Sequence, residues 1–403
     1  MEILSPREAV GRIPDGVRVI LPHGSIEPSL FYRALLDERD RFRQLQLYSG
    51  LQFGDYPFLS EGLGENFHYT TWQASAKLRK LFQQQKIDFL PLRFRDVTRV
   101  VAHDGPVPPY AVVIQTSPPQ DDWVSLGLSV SLYRDLVESA RLVIAEINPR
   151  VPWTHGNSRL PAHVIDIGIE SDAPLGEYRS PRRSPRDEQI VERVLSLILA
   201  GAWVQIGVGA IPDAVLSRLH EIPDVNLHSG MLTDGLIEVF EKSRHRPRVV
   251  TGEICGSPAL YELAANESAI ELHPSSLTHD VPYLGRLPRF VSVNSAVEVD
   301  LAGQINGETI DGLQISGVGG SLDFVEGAAA SRGGMAILAL PSTTEDGKRS
   351  KIVSRLSAET PATIPRVCAD VVVTEFGVAH LRGRTLRERA AALRAIADPR
   401  FEL

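Results

Sequence analysis

The chain of 403 residues is 43% hydrophobic and 23% charged, a composition typical of a globular protein with room for two domains. Its formal net charge of −8 provides no basic field, so the sequence predicts no nucleic-acid partner. Cys255 and Cys368 lie too far apart to suggest a metal cluster or a disulfide framework, and no apolar run approaches membrane length. We therefore expect a cytoplasmic protein with no metal site and no membrane partner.

The first half of the chain alternates between predicted strands and predicted helices. A capped helix is expected to begin after Ser5, with Pro6 at its first position and Glu8 three residues after the serine. The other predictions are strands at Val17–Leu21, Leu45–Ser49, Phe89–Leu92, Ala111–Thr116 and Leu142–Ile147, and helices at Pro28–Leu36 and Ala74–Gln84. This alternation indicates an α/β fold with a parallel-rich sheet.

A stretch rich in proline, arginine and serine, residues 172–186, has no apolar period and predicts a linker. We therefore expect one domain over residues 1–180 and a second α/β domain over residues 187–403. The second half is predicted to contain strands at Val204–Ile206, Val225–His228, Val249–Thr251, Arg289–Val293, Ala336–Leu340 and Asp370–Thr374, and helices at Asp187–Leu199 and Leu386–Ala397.

The stretch Trp203–Gly235 combines a strand, a glycine turn, a helix and a second strand, which we expect to end at Ser229-Gly230. Gly207 and Gly209 form the turn, and Pro212 lies where a first helical turn tolerates proline. Backbone N–H groups at such a helix start can face an anion or a carbonyl oxygen. A connection without a ligand is the alternative for this turn.

A second glycine turn lies in Gln314–Phe324, where Gly317, Gly319 and Gly320 fall within four positions. Without side chains, the backbone N–H groups can approach a substrate oxygen closely, as an oxyanion hole or a diphosphate cradle. A tight bend is the alternative. The turn matches neither the dinucleotide fingerprint nor the phosphate-loop lysine pattern.

Three stretches, NSAVEVDLAGQIN from Asn294, QISGVGGSLDF from Gln314 and VVVTEFGVAHLRGRTLRERAAALRAIADPRF from Val371, resemble the acetyl-CoA hydrolase/transferase family. This family includes 4-hydroxybutyrate and acetate CoA-transferases. The first half agrees, in SPREAVGRIPDGVRVIL near the start and from Ser117 to Ser158. The resemblance implies two tandem α/β domains with the active site in the cleft between them. It also implies acyl-CoA and a small carboxylate as substrates, and a homodimer or higher homo-oligomer.

The family's reaction is a ping-pong transfer, in which a glutamate attacks the thioester to give an acyl-glutamyl anhydride and then a glutamyl-CoA thioester. By resemblance, Gly207-Val208-Gly209-Ala210-Ile211 would contact coenzyme A, and Gly319-Gly320 would supply oxyanion-binding backbone. Gly317 is a further candidate for binding coenzyme A. Lys348 and Lys351 could contact its phosphates, although exposed lysines are more often only solvated.

The chain departs from this family at the nucleophile. In the transferases, the strand after the first glycine turn and helix ends in a histidine-threonine-glutamate-methionine pattern, followed by serine-aspartate-glycine. This chain reads His228-Ser229-Gly230-Met231-Leu232-Thr233-Asp234-Gly235, so Gly230 stands where the resemblance places the catalytic glutamate. A glutamyl-CoA mechanism therefore cannot start from this position.

Three explanations remain open. The protein could be a hydrolase, with a water molecule in the room left by the absent side chain and a nearby carboxylate to activate it. Another carboxylate could be the nucleophile: Glu253, whose family position is apolar, or Glu298 or Glu375, which match family positions. Glu375 could also be an acid/base helper. The coenzyme A site could instead be retained for binding alone, for direct acyl transfer or for a partner subunit.

Other reactive residue types have structural interpretations. His228 fits the structural pattern of the family, and Ser229 lacks the flanking glycines of a nucleophile elbow. Cys255 lies in an apolar context that predicts packing, and His103 and Asp104 predict turn hydrogen bonds. The sequence thus favours an acyl-CoA-dependent CoA-transferase, with an acyl-CoA hydrolase or a non-catalytic binding protein as alternatives.

Overall fold

The computed structural model describes residues 1–54, 56–61, 63–102 and 104–403, so His103 lies outside the described residues. The strands are β1 (Glu2–Ile3), β2 (Arg18–Ile20), β3 (Leu45–Ser49), β4 (Phe67–Thr71), β5 (Asp88–Phe89), β6 (Ala111–Thr116), β7 (Trp123–Ser125), β8 (Leu142–Ile147), β9 (His155–Gly156), β10 (Arg159–Pro161), β11 (Ile167–Glu170), β12 (Trp203–Ile206), β13 (Asn226–Leu232), β14 (Val249–Ile254), β15 (Ile270–Leu272), β16 (Phe290–Ser295), β17 (Glu298–Asp300), β18 (Ile305–Asn306), β19 (Thr309–Ile310), β20 (Leu313–Gln314), β21 (Met335–Ala339), β22 (Ile352–Val353), β23 (Val371–Thr374) and β24 (Gly377–His380).

The helices are α1 (Pro6–Gly11), α2 (Ser29–Asp37), α3 (Pro57–Glu61), α4 (Arg79–Gln83), α5 (Phe94–Val100), α6 (Tyr133–Leu136), α7 (Pro185–Leu197), α8 (Ala210–Arg218), α9 (Gly235–Lys242), α10 (Pro258–Asn266), α11 (Ser275–Thr278), α12 (Val281–Leu284), α13 (Ser321–Ala330) and α14 (Leu386–Ala395). Short 3₁₀ segments lie at Arg39–Arg41, Ala76–Leu78, Ala162–Val164 and Leu219–Glu221. None of the helices in the described ranges combines the length and the apolar composition that crossing a bilayer requires.

The chain forms two compact units. The first consists of Met1–Tyr178 and Thr251–Ser276, and the second of Arg179–Val250 and Leu277–Leu403. The segment Thr251–Ser276 therefore packs with the N-terminal part of the chain, although it follows the second unit's first strands and helices in sequence.

The first unit is built on a parallel sheet in the order β1-β11-β8-β6-β2-β3-β4-β5. The side chains of β6 are buried along the whole strand, as expected for a parallel strand covered on both faces. Leu21, Phe31, Leu47 and Val113 belong to one cluster of buried side chains beneath α2 and the central strands. The carboxyl ends of β2, β3 and β4 consequently lie side by side at one edge of this sheet.

The second unit contains a row of strands in the order β24-β23-β21-β16-β12-β13, parallel except for the terminal hairpin of β23 and β24. Its buried cluster includes Phe290, Phe324, Leu338 and Val372. Because β12 pairs directly with β16, the turn after β12 lies beside the end of β16. The prediction of an α/β protein with parallel-rich sheets is confirmed.

Local turn and capping chemistry places several elements where the sequence predicted them. Ser5 and Glu8 form a capping box on α1, with Pro6 in the first turn. The helix predicted at Asp187–Leu199 begins two residues earlier, at Pro185, because Ser184 and Asp187 form a second capping box. No helix or strand lies between β11 and α7, in agreement with a connector there.

Several predicted elements differ from the observed ones. The strand predicted at Phe89–Leu92 is only the two-residue β5, and the helix predicted at Ala74–Gln84 is divided into a 3₁₀ segment and α4. The strand predicted to end at Ser229-Gly230 continues to Leu232 as β13. The Ser229 hydroxyl lies 2.8 Å from the Ile206 carbonyl oxygen and 2.9 Å from that of Met231, which holds this part of the strand extended.

Candidate functional site

The first glycine turn brings β12 into α8. Gly209 has a φ of 131°, a left-handed conformation that favours glycine, and it is the N-cap of α8 without a side-chain capping bond. A methyl group on Gly207 would lie 2.8 Å from the Asn294 side-chain oxygen, so a larger residue would disturb the end of β16. The first turn of α8 therefore begins with glycine backbone in place of a capping side chain.

The second glycine turn precedes α13, which also begins without a capping side chain. Gly319 has a φ of 56°, and Gly320 is the N-cap of α13, again without a side-chain capping bond. Gly317 is buried, whereas Gly319 and Gly320 are partly exposed. Two helices of the second unit thus start at glycine turns, and their first N–H groups are suited to an anion or a developing oxyanion.

The space beside Gly230 is filled by the imidazole ring of His279. A methyl group at position 230 would lie 2.8 Å from both Cε1 and Nε2 of this ring. A methyl group on Gly320 would lie 2.5 Å from the same Nε2 atom. The expectation that the absent side chain leaves room for a water molecule is therefore wrong at the Cβ position, because His279 occupies it.

His279 is held in place by contacts within the second unit. Its Nδ1 lies 2.9 Å from the Thr278 hydroxyl, and its ring packs on Phe324 with centroids 4.7 Å apart. Burial, with a smaller contribution from His228, lowers the pKa of His279 from 6.5 to about 3. The folded protein consequently presents a neutral imidazole to both Gly230 and Gly320 at neutral pH.

This neutral state predicts acid sensitivity. Because the folded-state pKa of His279 is lowered, its contribution to stability is complete above about pH 6.5 and is lost as the pH falls towards 3. Over this range we expect His279 to contribute a slope of about 1.4 kcal/mol per pH unit. His279→Gln should flatten the decline of unfolding free energy between about pH 6 and pH 4 in urea titrations. The exposed His245→Gln is the control, and an unchanged slope in His279→Gln contradicts the assignment.

His228 and Ser229 are occupied by backbone contacts. His228 is fully buried, its Nε2 donates to the Thr278 carbonyl oxygen at 2.9 Å, and its ring packs against Tyr283. The Ser229 hydroxyl faces two carbonyl oxygens, as described for β13. Both residues therefore stabilise the strand that carries Gly230.

The remaining predicted residues of the second unit lie in different environments. Glu375 is buried directly after β23, and both its oxygens accept from Ser342, one from the backbone N–H at 2.8 Å and one from the hydroxyl at 2.9 Å. Lys348 is 80% exposed and lies 3.6 Å from Asp346. Lys351 is half-buried, and burial together with Arg186 lowers its pKa. Lys351 is thus better enclosed than Lys348.

Glu253 lies on β14 in the first unit and is 2% exposed. Its Oε1 is 2.6 Å from Nε2 of His23, and the Tyr133 hydroxyl is 2.9 Å from Nδ1 of the same ring. Burial, with Glu253 as the next cause, raises the pKa of the nearby Cys255 thiol, which therefore stays protonated and packed. Glu253 is consequently part of a buried polar chain of three side chains.

The structure brings Gly230 and Gly320 together through His279, and it places the two glycine turns at the starts of α8 and α13. Sequence reasoning did not identify His279, His23 or Tyr133. None of these residues lies in a recognisable local motif, and each acquires its partner only through the fold. Among the described residues, no group of three or more His, Cys, Asp or Glu side chains could hold a metal ion.

Most of the chain matches two domains of one known protein family. The acetyl-CoA hydrolase/transferase N-terminal domain matches residues 1–172, and the C-terminal domain of the same family matches residues 256–403. The chain belongs to the acetyl-CoA hydrolase/transferase family. It is therefore an enzyme of the CoA-transferase and acetyl-CoA hydrolase group.

Relatives of this family match over nearly the full length. The 4-hydroxybutyrate coenzyme A transferase of Clostridium kluyveri is 35% identical over 409 residues, covering 99% of this chain and 95% of the relative. The crystal structure of 4-hydroxybutyrate CoA-transferase from Porphyromonas gingivalis has a TM-score of 0.82 at 32% identity, with 99% and 95% coverage. That of RipA from Yersinia pestis has a TM-score of 0.93 at 28% identity, with the same coverage. The α/β fold is shared with these proteins.

Proposed function

We propose that the protein is an acyl-CoA-dependent CoA-transferase acting on a small carboxylic acid. The observation that carries this proposal is the match over 99% of the chain to a protein named as a 4-hydroxybutyrate coenzyme A transferase. Short carboxylic acids and their coenzyme A thioesters are therefore the substrates to test. The two glycine turns provide the backbone groups that such a reaction needs.

In this proposal, Gly207-Val208-Gly209-Ala210-Ile211 contact coenzyme A, because the α8 turn presents N–H groups without a competing capping side chain. Gly317, in the turn before α13, is a further contact. Gly319 and Gly320 donate backbone N–H groups to the thioester oxygen as negative charge develops on it. Lys348 can reach a phosphate from its exposed position, and Lys351 can reach one only close to its half-buried site. Glu375 is better suited to be an acid/base helper than to attack the thioester, because both its oxygens accept hydrogen bonds from Ser342.

Hydrolysis of the acyl-CoA is the second candidate function. Gly230 favours it, because a residue without a side chain cannot form the covalent intermediate expected at that position. Any hydrolytic water has to bind away from the Cβ position of Gly230, where His279 lies. In this version Gly319 and Gly320 keep the oxyanion role, and a carboxylate activates the water.

The test incubates the protein with acetyl-CoA and propionate and follows both propionyl-CoA and free thiol. We expect propionyl-CoA to form at a rate that exceeds thiol release by at least about tenfold, a discrimination of about 1.4 kcal/mol. Thiol release without propionyl-CoA, and without exchange into other short acids, contradicts a transferase and supports the hydrolase. Binding of coenzyme A with neither product supports a non-catalytic binding protein.

The proposal extends to the domains, the oligomeric state and the location of the protein. The N-terminal domain is assigned to residues 1–180 and the C-terminal domain to residues 187–403. A homodimer or higher homo-oligomer is expected, as is a cytoplasmic location. Sedimentation of the purified protein and fractionation of the producing cells test the last two.

A further inference from the structure

His23 is held rigidly just beyond the carboxyl end of β2. The carbonyl oxygen of Pro22 faces the hydroxyl groups of Tyr32, Tyr56 and Ser49 at 2.9 to 3.1 Å. The backbone N–H of His23 donates to the Tyr133 hydroxyl at 2.9 Å. The carboxyl ends of parallel strands are where α/β proteins bind ligands, and here a histidine is fixed at that edge.

The contact with Glu253 fixes which nitrogen of this ring is a donor. The Tyr133 oxygen already accepts from the backbone of His23, and its own hydroxyl hydrogen can be donated to Nδ1 at 2.9 Å or to the Leu21 carbonyl oxygen at 3.4 Å. Burial raises the pKa of Tyr133 well above its usual value, with Glu253 as the next cause, so the hydroxyl keeps its hydrogen. A carboxylate oxygen accepts, so Nε2–H of His23 donates to Oε1 of Glu253 at 2.6 Å.

The second carboxylate oxygen of Glu253 has no such partner. Oε2 is buried and makes no hydrogen bond in the described part of the chain, and the same is true of the Trp72 indole Nε1. A methyl group on Gly24 would lie 3.1 Å from Oε2, and one on Gly50 would lie 2.7 Å from Nε1 of Trp72. Buried polar atoms are rarely left unsatisfied, so the Trp72 indole N–H, a donor, and Oε2 of Glu253, an acceptor, can both bind a ligand with matching groups.

Glu253 differs in this respect from the other candidate carboxylates. Both oxygens of Glu375 accept from Ser342, at 2.8 and 2.9 Å. Glu298 is only partly buried, and its Oε2 accepts from the side chain of Asn306 at 3.4 Å. Of the three, Glu253 is the one that combines burial, a fixed orientation and an oxygen without a hydrogen-bond donor.

We propose that Glu253 is the covalent nucleophile of this chain, with His23 as the hydrogen-bond donor to its second oxygen and Tyr133 as a positioning residue. This inference rests on the proposed transferase function. It assigns the covalent step to a residue of the first unit, on β14, which is the next strand in the chain after the one that carries Gly230.

The reaction consists of two displacements, which are then reversed with the second acid. Oε2 attacks the thioester carbonyl carbon, the carbon–sulfur bond breaks, and coenzyme A leaves as a thiolate while an acyl-glutamyl anhydride forms. The thiolate then attacks Cδ of Glu253, the bond from Cδ to Oε2 breaks, and the first acid leaves as its carboxylate. The glutamyl-CoA thioester that remains reacts with the incoming carboxylate by the reverse of these two steps.

The position of His23 suits the second step. When Oε2 attacks, Oε1 becomes the carbonyl oxygen of the anhydride on the enzyme side. Attack of the thiolate at Cδ makes this oxygen an oxyanion, and Nε2–H of His23 is already directed at it from 2.6 Å.

The first experiment traps the intermediate. The protein is incubated with acetyl-CoA, reduced with borohydride and digested, and the modified peptide is mapped by mass spectrometry. We expect modification at Glu253, and transfer from acetyl-CoA to propionate should fall by at least about 10³-fold in Glu253→Gln. Glu271→Gln is the matched control, because Glu271 lies 3.2 Å from His273 in a more exposed glutamate–histidine pair of the same unit, and it should transfer normally.

A second pair of variants tests His23. His23→Leu should lower kcat by about 10²–10³-fold with little change in KM for acetyl-CoA, since the donor acts on the reacting oxygen. His23→Gln, whose amide can still donate, should recover part of that loss. Equal kcat values for the two variants would contradict the hydrogen-bonding role.

The outcomes separate this inference from the function on which it rests. Transfer by the parent protein with modification at another carboxylate, or with full activity in a folded Glu253→Gln, overturns the inference and leaves the transferase in place. Absence of any transfer by the parent protein overturns the proposed function and the inference together. Mapping on the parent protein does not depend on the folding of a variant.

Discussion

The Gly230→Glu variant is expected to fold with much lower stability than the parent protein and to gain no transfer activity. A methyl group at this position would already lie 2.8 Å from His279 and 3.5 Å from Phe324, and a glutamate adds further atoms. Overpacking of this kind costs about 1–3 kcal/mol, and a carboxylate pressed against apolar groups adds to it. We expect the free energy of unfolding in urea titrations to fall by about 3 kcal/mol.

Removing the obstacle should reverse much of this loss. Gly230→Glu combined with His279→Ala is expected to be more stable than the sum of the two single changes by about 2 kcal/mol, because the carboxylate then enters the vacated space. Gly307→Glu is the matched control, since Thr363 would be 3.6 Å from a methyl group there. A Gly230→Glu protein no less stable than this control would show that His279 does not fill the position.

The His23→Leu variant is expected to lose about 3–5 kcal/mol of unfolding free energy, because it leaves the buried Glu253 carboxylate without its partner. His23 and Glu253 are each 2% exposed, so water does not readily replace the lost hydrogen bond. Chemical denaturation of both proteins at neutral pH measures the difference.

Two comparisons test the cause of this loss. The combined His23→Leu and Glu253→Leu protein should recover most of the stability, since apolar pairs of similar volume often replace buried polar pairs without cost. His273→Leu, in the more exposed pair with Glu271, should lose no more than about 1 kcal/mol. Equal losses in His23→Leu and His273→Leu would contradict the account of a buried pair.

Much of the fold could be predicted because local chemistry determines it. Ser5, Pro6 and Glu8 mark the start of α1, and the buried strands β3, β6 and β8 have the bounds that their apolar runs predicted. The strand β13 could not be bounded in this way. Its continuation past Gly230 depends on contacts of Ser229 with Ile206, a residue of the preceding strand.

Only the glycine turns of the candidate site could be predicted from the sequence. The turns at Gly209 and Gly320 were recognisable because a helix start without side chains is a local feature. His23 and Glu253 are separated by 230 residues, and no local pattern reports that the two side chains meet. His279 reaches Gly230 and Gly320 only through tertiary packing. The sequence therefore could not show that the Cβ position of Gly230, where we expected room for a water molecule, is occupied by this ring.

The oxygen atoms of the released acid distinguish transfer from hydrolysis. Acetyl-CoA and propionate are incubated with the protein in water labelled with a heavy isotope of oxygen, and the acetate is analysed by mass spectrometry. In a transfer between carboxylates, every oxygen of the acetate comes from the thioester or from a carboxylate. We expect propionyl-CoA and unlabelled acetate. Labelled acetate without propionyl-CoA would show that water attacks the thioester, and it would contradict the assignment as a transferase.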